Sequence, residues 1–143
     1  RSDVAPLNHL IRKITELTDQ VHVMRDPTRG GVAATLNEIA HQSHVGITLI
    51  EDKIPVQLAV RSACELLGFD PLYVANEGKV IIILPDELTD LVLQVMRSEP
   101  YGQNACLIGK VHAESPGSVL LKTTIGGTRL LSMLSGELLP RIC

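Results

Sequence analysis

The sequence predicts an α+β domain in which helices cover a mixed or antiparallel sheet. Three observations carry this. Apolar residues recur at helical spacing in stretches around residues 7–18, 30–45, 55–67 and 86–96. An unbroken apolar run, Val80-Ile81-Ile82-Ile83-Leu84, lies between the last two of these. The final third changes to short β-type runs separated by Ser-Pro-Gly-Ser and Gly-Gly. Helices first and strands last, around one central apolar strand, read as an α+β sandwich.

Each element has its own justification. Leu7, Leu10, Ile11, Ile14 and Leu17 form one face of a first helix over 7–18, with Pro6 in its first turn. A second helix begins near Gly30, carries Val32, Leu36, Ile39 and Ala40 as its stripe, and ends before Gly46, which suits a left-handed residue after a helix. Residues 46–50 read as a strand. Pro55 opens a third helix to Leu67, with Gly68 as its stop. Residues 79–84 suit a strand covered on both faces. Asp86 is placed to cap a fourth helix bearing Leu88, Leu91, Val92, Val95 and Met96. Strands over 105–113, 119–124 and 129–133 suggest a β-meander.

The 143 residues are the length of one domain, set at 1–135 with an aperiodic tail over 136–143. The apolar fraction is 45%, yet there is one Phe, two Tyr and no Trp, so the core is built from Leu, Ile, Val and Ala. The net charge is −3, with both signs scattered along the chain. With no basic run and few aromatics to stack on bases, nucleic acid is not an expected partner. No apolar segment reaches the roughly 18 residues of a membrane span. The opening Arg-Ser-Asp-Val-Ala-Pro has neither an initiator Met nor a signal-peptide core, and the chain is expected to be part of a longer protein. Three widely spaced cysteines do not make a disulfide framework, which suggests a reducing cytoplasm. Cys64 and Cys106 lie in apolar patterns and are expected to pack in the core.

Three segments have the residue types for chemistry. In Met24-Arg25-Asp26-Pro27-Thr28-Arg29-Gly30-Gly31, two glycines permit close approach to the backbone just where a helix begins. The N–H groups of a helix start favour an anion such as phosphate. Arg29 adds positive charge, and Asp26 can take Mg2+ or orient Arg29. The pattern is neither a Walker P-loop nor a Rossmann fingerprint, and an ordinary tight turn reads the same way. In Asn76-Glu77-Gly78-Lys79, Glu77 can act as a base, Gly78 permits close approach and Asn76 can orient a polar group. A polar turn feeding a strand is the alternative. Finally, Pro140-Arg141-Ile142-Cys143 places a thiol on the last residue, a modifiable handle on an extendable arm. A prenylation signal needs its Cys four residues from the end, so that reading fails. His41 and His44 stand at i, i+3, which more often marks a solvated helix end than a metal site.

The run from Met24 to Ala40, the run Asp70-Pro71-Leu72-Tyr73-Val74-Ala75-Asn76-Glu77-Gly78-Lys79 and the ending Pro140-Arg141-Ile142-Cys143 together resemble the C-terminal domain of the HypE family of hydrogenase maturation proteins. The three matches fall in order and span nearly the whole chain. This family lies in the aminoimidazole ribonucleotide synthetase (PurM) superfamily. The resemblance implies a three-layer, PurM C-terminal-domain-like sandwich. It also implies a preceding N-terminal domain that forms the homodimer and supplies much of the ATP and Mg2+ site.

The implied activity is ATP-dependent dehydration of an S-carbamoyl group on the protein's own terminal cysteine, giving the thiocyanate used for the cyanide ligands of nickel-iron hydrogenase. HypF would load the carbamoyl group, and the HypC–HypD complex would receive the cyanide. On this chain Cys143 becomes the carrier and Glu77 the candidate base. Asp26, Thr28, Arg29, Gly30 and Gly31 would approach the ATP phosphates, with Asn76 and Gly78 shaping the same cleft. Two other readings stay open: a phosphotransferase of the same superfamily acting on a free small molecule, and a non-catalytic domain that docks through its tail.

Overall fold

The computed structural model describes residues 4–133. Four helices, α1 (Asn8–Leu17), α2 (Gly31–Ser43), α3 (Leu58–Leu67) and α4 (Thr89–Arg97), alternate with six strands. The strands are β1 (Val23–Arg25), β2 (Gly46–Ile50), β3 (Ile81–Ile83), β4 (Gly109–His112), β5 (Val119–Lys122) and β6 (Thr128–Leu130). They form a two-stranded antiparallel sheet, β1-β3, and a four-stranded mixed sheet in the order β4-β2-β5-β6. The expected α+β architecture is the one observed.

The apolar run around β3 shows why it needed no polar face. Ile81 and Ile83 pack against a core made by Ala33, Leu36, Ile39 and Ala40 of α2 with Ile47, Leu49, Val119 and Leu121 of the larger sheet. Val80, Ile82 and Leu84 pack against a second core of Leu10, Ile14 and Val92, from α1 and α4. The period-2 alternation of a strand sends successive side chains to opposite faces, so all five residues find apolar neighbours. The expectation that this segment lies beside the first and fourth helices holds.

The β-meander does not. β2 inserts between β4, to which it is antiparallel, and β5, to which it is parallel; only β5 and β6 form a hairpin. β2 is largely buried, and the centre of the sheet pairs both of its backbone edges. The more exposed β4 and β6 take the outer positions. Strand β1 was not expected, because three residues are too few to show a period; it pairs Met24 with Ile82.

Several boundaries moved for local reasons. Pro55 does not open α3. A 3-10 turn at Glu51–Lys53 is followed by extended chain through Gln57, and the helix begins at Leu58. Only Cys64 of α3 is buried, leaving Leu58, Leu66 and Leu67 exposed. Asp86 does not cap α4; a 3-10 turn intervenes, and its carboxylate pairs with Lys110 at 3.2 Å. Gly68 does terminate α3 in the left-handed conformation. Cys106 precedes β4 rather than lying in it and is half-buried, its thiol donating to the Lys53 carbonyl at 3.3 Å. Burial pushes that thiol's pKa up, against the opposing effect of Arg97.

Gly46 is not the left-handed residue after α2. His44 is, at φ 52°. Gly46 is instead the first residue of β2, where an added Cβ would stand 2.0 Å from the Glu114 carbonyl oxygen and 2.5 Å from the His112 ring. Gly46→Ala should therefore destabilise the domain by about 1–3 kcal/mol, the usual cost of overpacking, held to that range because β4 is an edge strand that can shift. His44→Gly should stabilise it by up to about 1 kcal/mol, since glycine adopts the left-handed conformation without steric cost. Urea unfolding of both variants checks the opposite signs.

Candidate functional site

The two internal motifs, about fifty residues apart in sequence, meet at the start of α2. Strand β1 ends at Arg25, and Pro27 follows with its ring fully buried. The chain then turns through Thr28, whose carbonyl accepts from Gly31 N–H at 3.2 Å. Gly30 and Gly31 both take positive φ, 70° and 65°, and α2 begins there without a side-chain cap. The N–H groups of a first helical turn have no partner within the helix.

The second motif is laid against this turn. Asp70 Oδ1 accepts from Leu72 N–H at 2.9 Å and starts a 3-10 turn over Pro71–Tyr73. The chain then passes Gly31 so closely that a Cβ there would lie 2.6 Å from the carbonyl oxygens of both Leu72 and Val74. Asn76 N–H donates to the Pro27 carbonyl at 3.0 Å, which joins the motifs directly. The Asn76 side chain is held at both ends: its amide donates to the Val74 carbonyl at 2.7 Å, and its Oδ1 accepts from Lys79 Nζ at 2.8 Å. Gly78 follows at φ 61°.

The structure thus brings together Asp26, Thr28, Arg29, Gly30 and Gly31 with Asn76, Glu77 and Gly78 as neighbouring stretches of chain. Asp26, Arg29 and Glu77 are exposed. Arg25 is paired with Glu38 at 3.0 Å, whereas Arg29 makes no ion pair among the described residues. Asp26 does not orient Arg29: no bond joins them, because the buried Pro27 and the turn at Thr28 separate them. Among the described residues no group of three or more His, Cys, Asp or Glu side chains could hold a metal ion, and His41 and His44 join none. Cys143 and the tail over 136–143 lie outside the described residues.

Two clefts lie elsewhere. One of about 300 Å³ runs between α3 and the Asp70 turn and is lined by Arg61, Cys64 and Arg129 among others. Another of about 360 Å³ lies across β4 and β2 beside Lys53, Lys110 and His112. The first also takes Asp70, Pro71 and Leu72 of the second motif into its lining, but neither is lined by Asp26–Gly31 or by Asn76–Gly78. Sequence reading missed the side chains that fasten the segment after β6, namely Asn37, Tyr73, Asp70 and Arg129. Their partners are backbone carbonyls or charges far away in sequence, and no local pattern signals them.

An α+β domain with these paired motifs defines the C-terminal domain class of the aminoimidazole ribonucleotide synthetase superfamily. The chain belongs to the family described as AIR synthase related protein, C-terminal domain, whose model matches residues 1–122. It is 49% identical over 142 residues to the carbamoyl dehydratase HypE of Azotobacter vinelandii, covering 99% of this chain and 42% of that protein. It is equally similar to the hydrogenase expression/formation protein HupE of Azotobacter chroococcum mcd 1, at 49% identity and the same coverage. The chain therefore spans about two fifths of the length of these relatives.

Among solved structures, the hydrogenase maturation protein HypE superposes with a TM-score of 0.93 at 50% identity, covering 99% of this chain and 46% of that one. HypE in complex with ATP superposes with a TM-score of 0.91 at 48% identity, covering 99% and 44%. A HypE–HypF complex gives 0.85 at 46% identity, covering 90% and 42%. No helix of the described residues is long and apolar enough to cross a membrane.

Proposed function

We propose that this chain is the C-terminal part of an ATP-dependent carbamoyl dehydratase that converts an S-carbamoyl group on its own Cys143 to thiocyanate during nickel-iron hydrogenase maturation. The observation that carries the reading is the Asn76–Pro27 hydrogen bond, which makes one surface of two distant motifs, in a chain about half identical to carbamoyl dehydratases. A HypE structure with ATP supports nucleotide use, and a HypE–HypF complex supports HypF as the carbamoyl donor. Cyanide then passes to the HypC–HypD complex. The work is cytoplasmic, and the homodimer forms through the preceding domain.

The chemistry follows from the groups. A thiocarbamate, S–C(=O)–NH2, cannot expel oxide. Transfer of the γ-phosphoryl group to the carbonyl oxygen gives S–C(=NH)–O–phosphate and ADP, with one nitrogen proton removed. Loss of phosphate and the second nitrogen proton leaves S–C≡N. Glu77 is the base for these protons. Asp26, Thr28, Arg29, Gly30 and Gly31 face the phosphates, where positive charge and helix N–H groups stabilise the transferring group. Asn76, held rigid by Val74 and Lys79, and Gly78 shape the cleft. Asp26 would offer Mg2+ one hard oxygen ligand, the others coming from the preceding domain.

The test is the mass of the Cys143 peptide after the full-length protein is incubated with HypF, carbamoyl phosphate and ATP. A carbamoyl adduct followed by a species lighter by one water is expected. Absence of any adduct on Cys143 overturns the reading in favour of a phosphotransferase or a tail-docking domain. The isolated 143 residues should bind ATP weakly and hydrolyse none, because much of the site lies in the rest of the protein. Arg29→Ala in the full-length protein should weaken ATP use with its melting temperature unchanged, as Arg29 is exposed and holds no ion pair among the described residues. Calorimetry and phosphate release check both.

A further inference from the structure

We propose that the exposed apolar stripe of α3 is the face on which the preceding part of the same polypeptide docks. The inference rests on one clause of the reading above, that this chain is the C-terminal part of a longer protein. Cys64 is the one buried residue of α3, and every other residue of the helix is exposed. Ala59, Val60, Ala63, Leu66 and Leu67 stand at i, i+1, i+4, i+7 and i+8. On a helix of 3.6 residues per turn they share one stripe about 120° wide, centred about 100° round from Cys64. Leu66 is 86% exposed and Leu67 64%. A single exposed leucine is ordinary, but a periodic stripe that its own domain leaves uncovered marks a contact with something else. Arg61 and Glu65 lie on the opposite flank, where they line the cleft of about 300 Å³. The stripe itself carries no charge.

Area selects the occupant. A ten-residue helix is about 15 Å long and about 10 Å across, so its stripe offers only a small fraction of the roughly 800 Å² that each partner of a stable complex buries. A second copy of the chain, or any free partner, gains too little from it. A tethered partner meets the stripe at a local concentration on the order of millimolar, and a small face is then enough. The relatives extend about three fifths of their length beyond the matched region, and the matching family model is that of a C-terminal domain, so in them that length comes first. The position of α3 agrees. It leads through Gly68 and Phe69 into the Asp70 turn and on to Asn76 and Gly78, the motif whose ATP site the preceding part completes in the reading above. The surface that fits is aliphatic and uncharged, because a charge laid on Leu66 and Leu67 would lose its water and gain no partner.

The test uses the full-length protein, without ATP, and places the photo-cross-linker p-benzoylphenylalanine at position 66. The expected product keeps the mass of one chain, and its cross-linked peptide comes from the preceding part. A product of doubled mass assigns the stripe to a second copy. A cross-link that forms only when HypF is added assigns it to HypF. Either result, a cross-link within these 143 residues, or none at all overturns the proposal. A second variant reads the contact without a bulky probe. Leu66→Gln with Leu67→Gln removes apolar surface that this domain does not itself bury, so its own cores are spared. Amide exchange over residues 59–67 should become at least about tenfold faster, with α2 and β2 unchanged. Unchanged exchange over α3 overturns the docking, and so does faster exchange throughout the domain, which would mean a loss of fold. Neither readout involves turnover, so if the dehydratase reading fails its mass test, both still decide the docking.

Discussion

Cys143→Ala in the full-length protein is expected to accept no carbamoyl group and deliver no cyanide, while its unfolding midpoint matches that of wild type. On the proposed function the loss is total, because Cys143 would be the covalent carrier and no other group could replace its sulfur. Stability should be spared because a chain-terminal side chain has few contacts to lose. Cys64→Ala should behave in the opposite way. Cys64 is 7% exposed and is the one buried side chain of α3, so its truncation should cost about 1 kcal/mol of packing. Chemistry should persist in whatever folds. Mass spectrometry of the two variants with HypF, carbamoyl phosphate and ATP, together with urea titrations, reads both halves. Adducts on another residue of Cys143→Ala would defeat the assignment.

Gly31→Ala is expected to be strongly destabilising, because it meets both a left-handed φ and backbone atoms that cannot move away. The new Cβ would be forced to within 2.6 Å of the Leu72 and Val74 carbonyl oxygens and 3.0 Å of the Tyr73 carbonyl carbon. These are backbone atoms in a turn already fixed by Asp70 and by the Asn76–Pro27 bond, so they cannot swing aside as a flexible side chain would. The left-handed φ adds about 1–2 kcal/mol, and overpacking adds about 1–3 kcal/mol more. A total loss of about 2–5 kcal/mol is a large part of a typical domain's stability. In the fraction that folds, the second motif should be displaced from the first and ATP use should fall with it. A Gly31→Ala protein of wild-type stability would show that the two segments are not held as described. Gly68→Ala serves as the control: it shares the positive φ but has nothing within 4 Å of an added Cβ, so only the conformational cost should remain.

The sequence by itself determined the helices, the central strand and the residues suited to chemistry. Those features are written in local periods and local residue types. Ile14, Leu36 and Val92 are buried where helical spacing placed them, and the alternating run 80–84 divides between two cores as a doubly covered strand must. Pro27, Gly30, Gly31 and Asn76 could be singled out because their backbone and side-chain chemistry is unusual wherever they stand.

Only the tertiary structure decided which pieces meet. Sheet order follows from which strand buries both edges best, so β2 passes between β4 and β5 although no local pattern distinguishes that from a meander. The roles of His44 and Gly46 depend on where Glu114 and His112 arrive. The carbonyls that crowd Gly31 and the bonds from Asn37 and Tyr73 to residues 131 and 132 are likewise contacts between segments 40 to 94 residues apart. A hydrogen bond or steric contact of that range has no period and no preferred residue spacing. It exists only once the hydrophobic cores have closed and brought the segments together.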